Sequence, residues 1–107
     1  SDSFLENKDV AIQISLVNLQ IDSALINTSY LKYDLLETAN GVTTSVASGN
    51  FQNFTEEILP LKSMTEISAG TTYSYEFRLW LEESGENQNN LMGKSISGRI
   101  LVYTAVR

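Results

Sequence analysis

The sequence predicts an all-β protein, an antiparallel β-sandwich of about seven short strands. The clearest observation lies in residues 72–82, where apolar side chains alternate with polar ones at a period of two. The alternating residues are Tyr73, Tyr75, Phe77, Leu79 and Leu81. This period is typical of a half-buried strand, because a helix would place apolar residues three and four positions apart. Turn-forming residues recur between such segments, and no segment has a strong helical pattern.

The first predicted strand covers residues 10–21 and changes phase along its length. Apolar residues occupy even positions up to Leu16 and odd positions from Val17 onward. A one-residue slip turns every later side chain to the opposite face. The sequence therefore predicts either a β-bulge near Leu16 or a strand whose two ends serve two sheets. Because this strand is the first and follows a polar start, we expect it at a sheet edge, where Lys8 and Asp9 blunt only its beginning. The alternative is that the strand pairs inside its own sandwich.

The dipeptide Asn40-Gly41 predicts a two-residue hairpin of type I′, because both residues tolerate positive φ. It joins strands predicted at residues 30–38 and 42–48. The predicted opposite pairs are Ala39 with Val42, Leu35 with Val46, Thr38 with Thr43, and Glu37 with Thr44. In this register Glu37 interrupts an otherwise apolar face.

The second half of the chain is less regular at first. In residues 51–61 the spacing of Phe54, Ile58 and Leu59 fits a short helix or an irregular strand. We favour a short strand or a loop, and Pro60 excludes a central strand at that point. Further strands are predicted at residues 63–68, 72–82 and 96–106. We expect the last two to pair antiparallel across the polar loop of residues 83–90.

Composition limits the classes of function. The 107 residues fit one domain spanning residues 1–107, since a chain of this length buries roughly two-thirds of the surface that its unfolded form exposes. A net charge of -6 with seven scattered basic residues argues against nucleic acid as a partner. The absence of cysteine and histidine excludes disulfides, thiolate nucleophiles, cysteine-based zinc sites and the common hydrolase triads.

Location is predicted from the start of the chain and its hydropathy. The chain begins at Ser1 without a leader and contains no apolar run of about eighteen residues, so we expect no membrane insertion in this segment. It reads as a mature or trimmed segment. We expect an extracellular or cell-surface location in a bacterium, after removal of a signal segment.

Three local patterns resemble chemical motifs but lack an essential part. Gly93-Lys94-Ser95 has neither the first glycine of a phosphate loop nor a following helix. The acidic and amide residues from Glu82 to Asn90 could offer oxygen atoms to calcium, but without the EF-hand order they read as a solvated loop. Neighbouring glutamates such as Glu56 and Glu57 point to opposite sides of a strand, so they do not form an acid and base pair. We predict no enzyme, no cofactor and no metal.

Trp80 is the residue that most suggests an interaction. It falls on the polar parity of its strand, between Arg78 and Glu82, where a large indole should not stand free in water. Three alternatives remain for what shields the indole from water: a segment of its own chain, a neighbouring subunit, or a sugar stacked on the ring. We favour a subunit over a sugar, because Tyr73 and Tyr75 point to the other face and leave Trp80 without coplanar aromatic neighbours.

Residues 75–102 read YEFRLWLEESGENQNNLMGKSISGRILV, which is a strand, an acidic-to-amide loop running to a glycine, and a last strand. In this ending the chain resembles the TasA and camelysin family of small secreted proteins of Gram-positive bacteria. The strand count alone leaves immunoglobulin-like and jelly-roll sandwiches open, whereas the resemblance implies a jelly-roll type. It also implies secretion to the cell surface and, as in members that form biofilm-matrix fibres, donation of an N-terminal strand to the next subunit. Residues 4–16 would take the donor position.

Two functional hypotheses follow. The first is a non-enzymatic extracellular structural protein, a filament subunit that associates with identical subunits by β-strand addition. The second is a monomeric surface binding module or adhesin that recognises a carbohydrate or protein through Trp80 and the loop of residues 83–90. The candidate interface residues are Phe4, Val10, Ile12, Ile14, Leu16 and Trp80.

Overall fold

The computed structural model describes residues 10–68 and 70–106. Within these residues, six strands, one short helix and one 3-10 turn follow one another. They are β1 (Val10–Ile21), α1 (Ser23–Ile26), β2 (Leu31–Ala39), β3 (Val42–Asn50), β4 (Leu59–Ile67), β5 (Tyr73–Leu81), the 3-10 turn (Asn89–Leu91) and β6 (Ile96–Val106). Phe4 lies outside the described residues.

The strands form two antiparallel sheets of three strands each. The first, sheet A, has the order β4-β1-β6, and the second, sheet B, has the order β3-β2-β5. The prediction of an all-β chain is confirmed. The structure has six strands where the sequence suggested about seven, because residues 51–58 form no strand and the segment that follows is a single strand, β4.

β1 contains the predicted bulge. Its register against β6 shifts between Val17 and Gln20, and Asn18 adopts a positive φ of 55° there. The extra residue reverses which parity of side chain faces the core, so Leu16 before the bulge and Leu19 after it are both buried there. Two smaller irregularities occur in the pairing of β1 with β4.

The predicted edge position of this first strand is wrong. β1 is the central strand of sheet A and pairs with β4 on one side and β6 on the other. Residues 10–21 carry no charged side chain, which is a property of strands enclosed on both sides. The order of a strand in the chain does not by itself decide its position in a sheet.

The hairpin between β2 and β3 follows the sequence prediction closely. Asn40 and Gly41 both have positive φ, at 54° and 76°, as a type I′ turn requires. Three of the four predicted pairs are present: Ala39 with Val42, Thr38 with Thr43, and Glu37 with Thr44. The fourth is wrong, because a register shift beyond Leu36 sets Leu35 opposite Ala47 instead of Val46.

β5 and β6 do not pair, in contrast to the prediction. β5 pairs with β2 in sheet B, and β6 pairs with β1 in sheet A. The chain between them therefore crosses from one sheet to the other. Pro60 lies in the edge strand β4, which agrees with its predicted exclusion from a central strand.

One core joins the two sheets in a sandwich-like arrangement. Phe51, which no solvent reaches, lies at its centre and packs against Tyr33 and Phe54 with ring centroids 5.2 and 5.7 Å away. The other buried members are Ile12, Ile14, Leu16, Leu19, Leu25, Leu31, Leu35, Leu61 and Leu91. Leu25 reaches this core from α1, whose first turn is capped by the Asp22 carboxylate accepting from the Ala24 amide. Among the described residues, no helix has the length and apolar character needed to span a membrane.

Candidate functional site

The two sides of this sheet pair differ. On one side the edge strands β3 and β4 approach each other, so the other two edge strands, β5 and β6, lie on the opposite side. We call the first the closed side and the second the open side. The contrast between them locates the candidate functional site.

A polar cluster links the two sheets through side chains of β2, β4 and β5. Glu37 of β2 accepts a hydrogen bond from the Tyr75 hydroxyl at 2.6 Å, and Lys62 of β4 places its Nζ atom 3.4 Å from the same carboxylate oxygen. The side chains of Lys62 and Glu37 are only 13% and 18% exposed. Burial, and then the hydrogen bond to Glu37, raise the pKa of Tyr75 well above its ordinary value. Glu37, which interrupts the apolar face in the sequence, is thus satisfied by partners on two other strands.

The closed side also protects its free strand edges. β4 carries Pro60, an irregular register and the inward-pointing charge of Lys62, all of which oppose pairing with another chain. β3 is rich in threonine and serine, with Val42 as its exposed large apolar residue. These features are typical of edges that stay unpaired.

The open side has the opposite character. β6 is an edge strand on which four consecutive large residues are about half exposed: Ile100, Leu101, Val102 and Tyr103. Ile100 and Val102 lie opposite the buried residues Leu16 and Ile14, so they belong to the inner face of sheet A, yet solvent reaches them. Their two neighbours lie on the outer face. β6 is therefore apolar on both faces, and among residues 10–68 and 70–106 no strand pairs with its outer edge.

β5, the facing edge strand of sheet B, shares this character. Leu79, Trp80 and Leu81 are all exposed, again on both faces. Between β5 and β6 a cavity of about 330 Å³ opens to the core. Leu16, Leu19 and Phe51 belong to its lining, together with Phe77 and Leu79 from β5 and Ile100 from β6. We call this cavity the mouth: apolar side chains of β5 and β6 form its sides, and the core residues Leu16, Leu19 and Phe51 form its base.

The residues predicted for an N-terminal interface occupy other positions. Ile12, Ile14 and Leu16 are buried among the chain's own core residues, and Val10 lies half-buried between β4 and β6. Of these, only Leu16 also lines the mouth. Trp80 lies on the other predicted surface, the outer face of sheet B, and is 45% exposed.

The loop after β5 is ordered by its own side chains. The Gln88 amide donates to the Glu82 carbonyl at 3.0 Å, and the Asn87 side chain accepts from the Asn89 backbone amide at 2.8 Å. Leu91 then anchors the 3-10 turn in the core. In the part of the chain that the structure describes, no group of three or more acidic residues is placed to hold a metal ion.

Sequence reasoning missed the four exposed apolar residues of β6. A signal was present, because Ile100 to Tyr103 are apolar at both parities, a pattern of strands covered on both faces. At a sheet edge, such a strand leaves large apolar side chains in contact with water. No protein-family model, curated protein or solved structure matches the chain.

Proposed function

We propose that this chain is a non-enzymatic structural protein of the bacterial exterior whose copies assemble by β-strand addition at the open side. The observation that carries the proposal is the exposure of apolar residues on both faces of β6, whose outer edge has no partner strand within the described part of the chain. An exposed apolar strand edge pairs readily with another chain, and the closed side lacks this character. Secretion and the relationship to the TasA and camelysin family belong to the same proposal.

The order of the strands supports a jelly-roll type of sandwich. Consecutive strands face each other across the two sheets, with β1 opposite β2, β3 opposite β4, and β5 opposite β6. A complete jelly roll has eight strands, which make four such facing pairs. Three pairs are present here, and the free edges of β5 and β6 offer the place for a fourth. A strand added at the open side would pair with the outer edge of β5 or β6 and so extend sheet B or sheet A by one strand.

The segment before β1 is a suitable donor. Phe4 and Leu5 supply apolar side chains about six residues before Val10, which lies opposite Val106 at the far end of β6. Ile100 at the mouth lies opposite Leu16, about 20 Å further along β1 at roughly 3.3 Å per residue. To bring Phe4 to its own mouth, the segment would have to turn back at once and remain fully extended. A second copy has no such constraint, so we propose head-to-tail association.

To test the proposal, the same substitution, valine to lysine, is made at one position on the open side and at one on the closed side. Val102→Lys places a charge on the open side, and Val42→Lys places it on the closed side at a residue of similar exposure, 61% against 50%. Light scattering and negative-stain electron microscopy across protein concentrations should show filaments for the unaltered chain and for Val42→Lys. Val102→Lys should raise the concentration needed for assembly by about tenfold or more, because it buries an ammonium group in an apolar contact.

Phe4→Lys tests the donor separately and should weaken assembly like Val102→Lys. Point variants are needed because deletion of residues 1–16 would remove half of the central strand β1. A chain that stays monomeric up to its solubility limit, or equal assembly by the Val102 and Val42 variants, would contradict the proposal.

A further inference from the structure

The outer face of sheet B carries a registered array of side chains around Trp80. In one row across the three strands, Trp80 lies opposite Lys32, and Lys32 lies opposite Asn50. The next row on the same face consists of Arg78, Asp34 and Ser48. Strands are about 4.8 Å apart and alternate residues about 6.7 Å apart, so these six side chains cover a patch of about 10 by 7 Å. That area fits one or two pyranose rings.

Most charges of this face are paired, because two cations, Lys32 and Arg78, lie among three carboxylates. The Lys32 ammonium lies 3.7 Å from a Glu82 carboxylate oxygen, and the Arg78 guanidinium donates to Glu76 at 3.1 Å. The Arg78 pKa is raised by Glu76 and also by Asp34. Ser45 donates a hydrogen bond to Asp34, which fixes the orientation of that carboxylate. A face of paired charges gives no strong field of either sign and offers oriented donors and acceptors instead.

Trp80 is the one aromatic side chain in the two rows, and shallow depressions lie on both sides of it. One is lined by Lys32, Asn50 and Glu82 among others, and the other by Asp34 and Arg78. The indole therefore stands as a single flat apolar surface with hydrogen-bonding groups on either side. A protein interface of stable size would need a wider apolar centre and about 800 Å² from each partner.

We propose that this face binds an uncharged oligosaccharide, with one pyranose ring stacked on Trp80. The apolar C–H face of such a ring matches the indole, and its hydroxyls match bidentate groups such as the Asp34 carboxylate and the Arg78 guanidinium. The pairing of both cations with carboxylates favours a neutral ligand, and the net charge of -6 opposes polyanions such as nucleic acid. This inference is independent of assembly at the open side.

The chain provides its own reporter, because Trp80 is its single tryptophan. The Val102→Lys variant keeps the protein from assembling while neutral tetrasaccharides built from glucose, N-acetylglucosamine, galactose or mannose are titrated in. At least one should change the Trp80 emission saturably, and isothermal calorimetry should give the same affinity. Because covering the indole removes water from it, the emission should shift to shorter wavelength.

Two substitutions separate this site from nonspecific binding. Asp34→Asn should weaken binding of the active tetrasaccharide about tenfold, because it removes a hydrogen bond to a charged group. Trp80→Ala should abolish the calorimetric signal, and Glu66→Gln on the exposed part of β4 serves as the matched charge-removing control with unchanged affinity. The proposal is overturned if no tetrasaccharide binds at millimolar concentration. It is equally overturned if binding survives Trp80→Ala, or if the emission changes with protein concentration but never with saccharide.

Discussion

The polar cluster of Glu37, Lys62 and Tyr75 leads to a quantitative prediction for the substitution Lys62→Met. At 3.4 Å, the attraction between the Lys62 ammonium and the Glu37 carboxylate is about 5 kcal/mol at an effective dielectric constant of about 20. Desolvation of the two groups, which are 13% and 18% exposed, offsets much of this. We expect Lys62→Met to lower the free energy of unfolding by about 1–3 kcal/mol, because it leaves the Glu37 carboxylate with the Tyr75 hydroxyl alone.

Urea denaturation of four proteins measures this effect: the unaltered chain, Lys62→Met, Glu37→Gln and the double variant. In the double variant no unpaired charge remains, so its loss should be smaller than the sum of the single losses by about 1 kcal/mol or more. Additive losses, or a Lys62→Met variant within about 0.5 kcal/mol of the unaltered chain, would show that the two groups do not interact as described.

Three further predictions concern the core, the pH dependence and the bulge. Phe51→Ala should lower the free energy of unfolding by about 3–5 kcal/mol in denaturant titration, since Phe51 is fully buried between two aromatic rings; a loss below about 1 kcal/mol would contradict this packing. Folding raises the pKa of Tyr33 and Tyr75, so their contribution to stability is fully present below about pH 10 and is lost as the pH rises above it. Tyr75→Phe should reduce this alkaline loss of stability in unfolding curves measured between about pH 8 and pH 11. An unchanged pH profile would refute the assignment. Asn18→Val should destabilise by about 1–2 kcal/mol because of its positive φ, whereas Asn18→Gly should be tolerated; thermal unfolding compares the two, and equal effects would exclude backbone strain as the cause.

Local patterns in the sequence predicted local structure well. The change of apolar parity near Leu16 predicted a bulge as one of two explanations, and the structure has a bulge close by, at Asn18. Asn40-Gly41 predicted the turn and the pair of Glu37 with Thr44. The shift that sets Leu35 opposite Ala47 was not predictable, because Val46 and Ala47 are both small apolar residues that fit the face.

Long-range pairing was harder to predict. The alternation of apolar and polar residues in β5 predicts a buried face but does not indicate which strand pairs with β5. The pairing of β5 with β2 was therefore missed. Glu37, Lys62 and Tyr75 are distant in sequence and meet because three strands bring them together. The open side was missed for the same reason, since it depends on which strands end at a sheet edge.

We propose that copies of this chain meet at β5 and β6, and amide hydrogen exchange followed by mass spectrometry would detect this contact strand by strand. Exchange is compared between dilute and concentrated protein, strand by strand. We expect the protection of residues 96–106 and 73–81 to rise with concentration, while that of the edge strands β3 and β4 changes little. Protection that rises on β3 and β4 instead, or on no strand at any concentration, would contradict it.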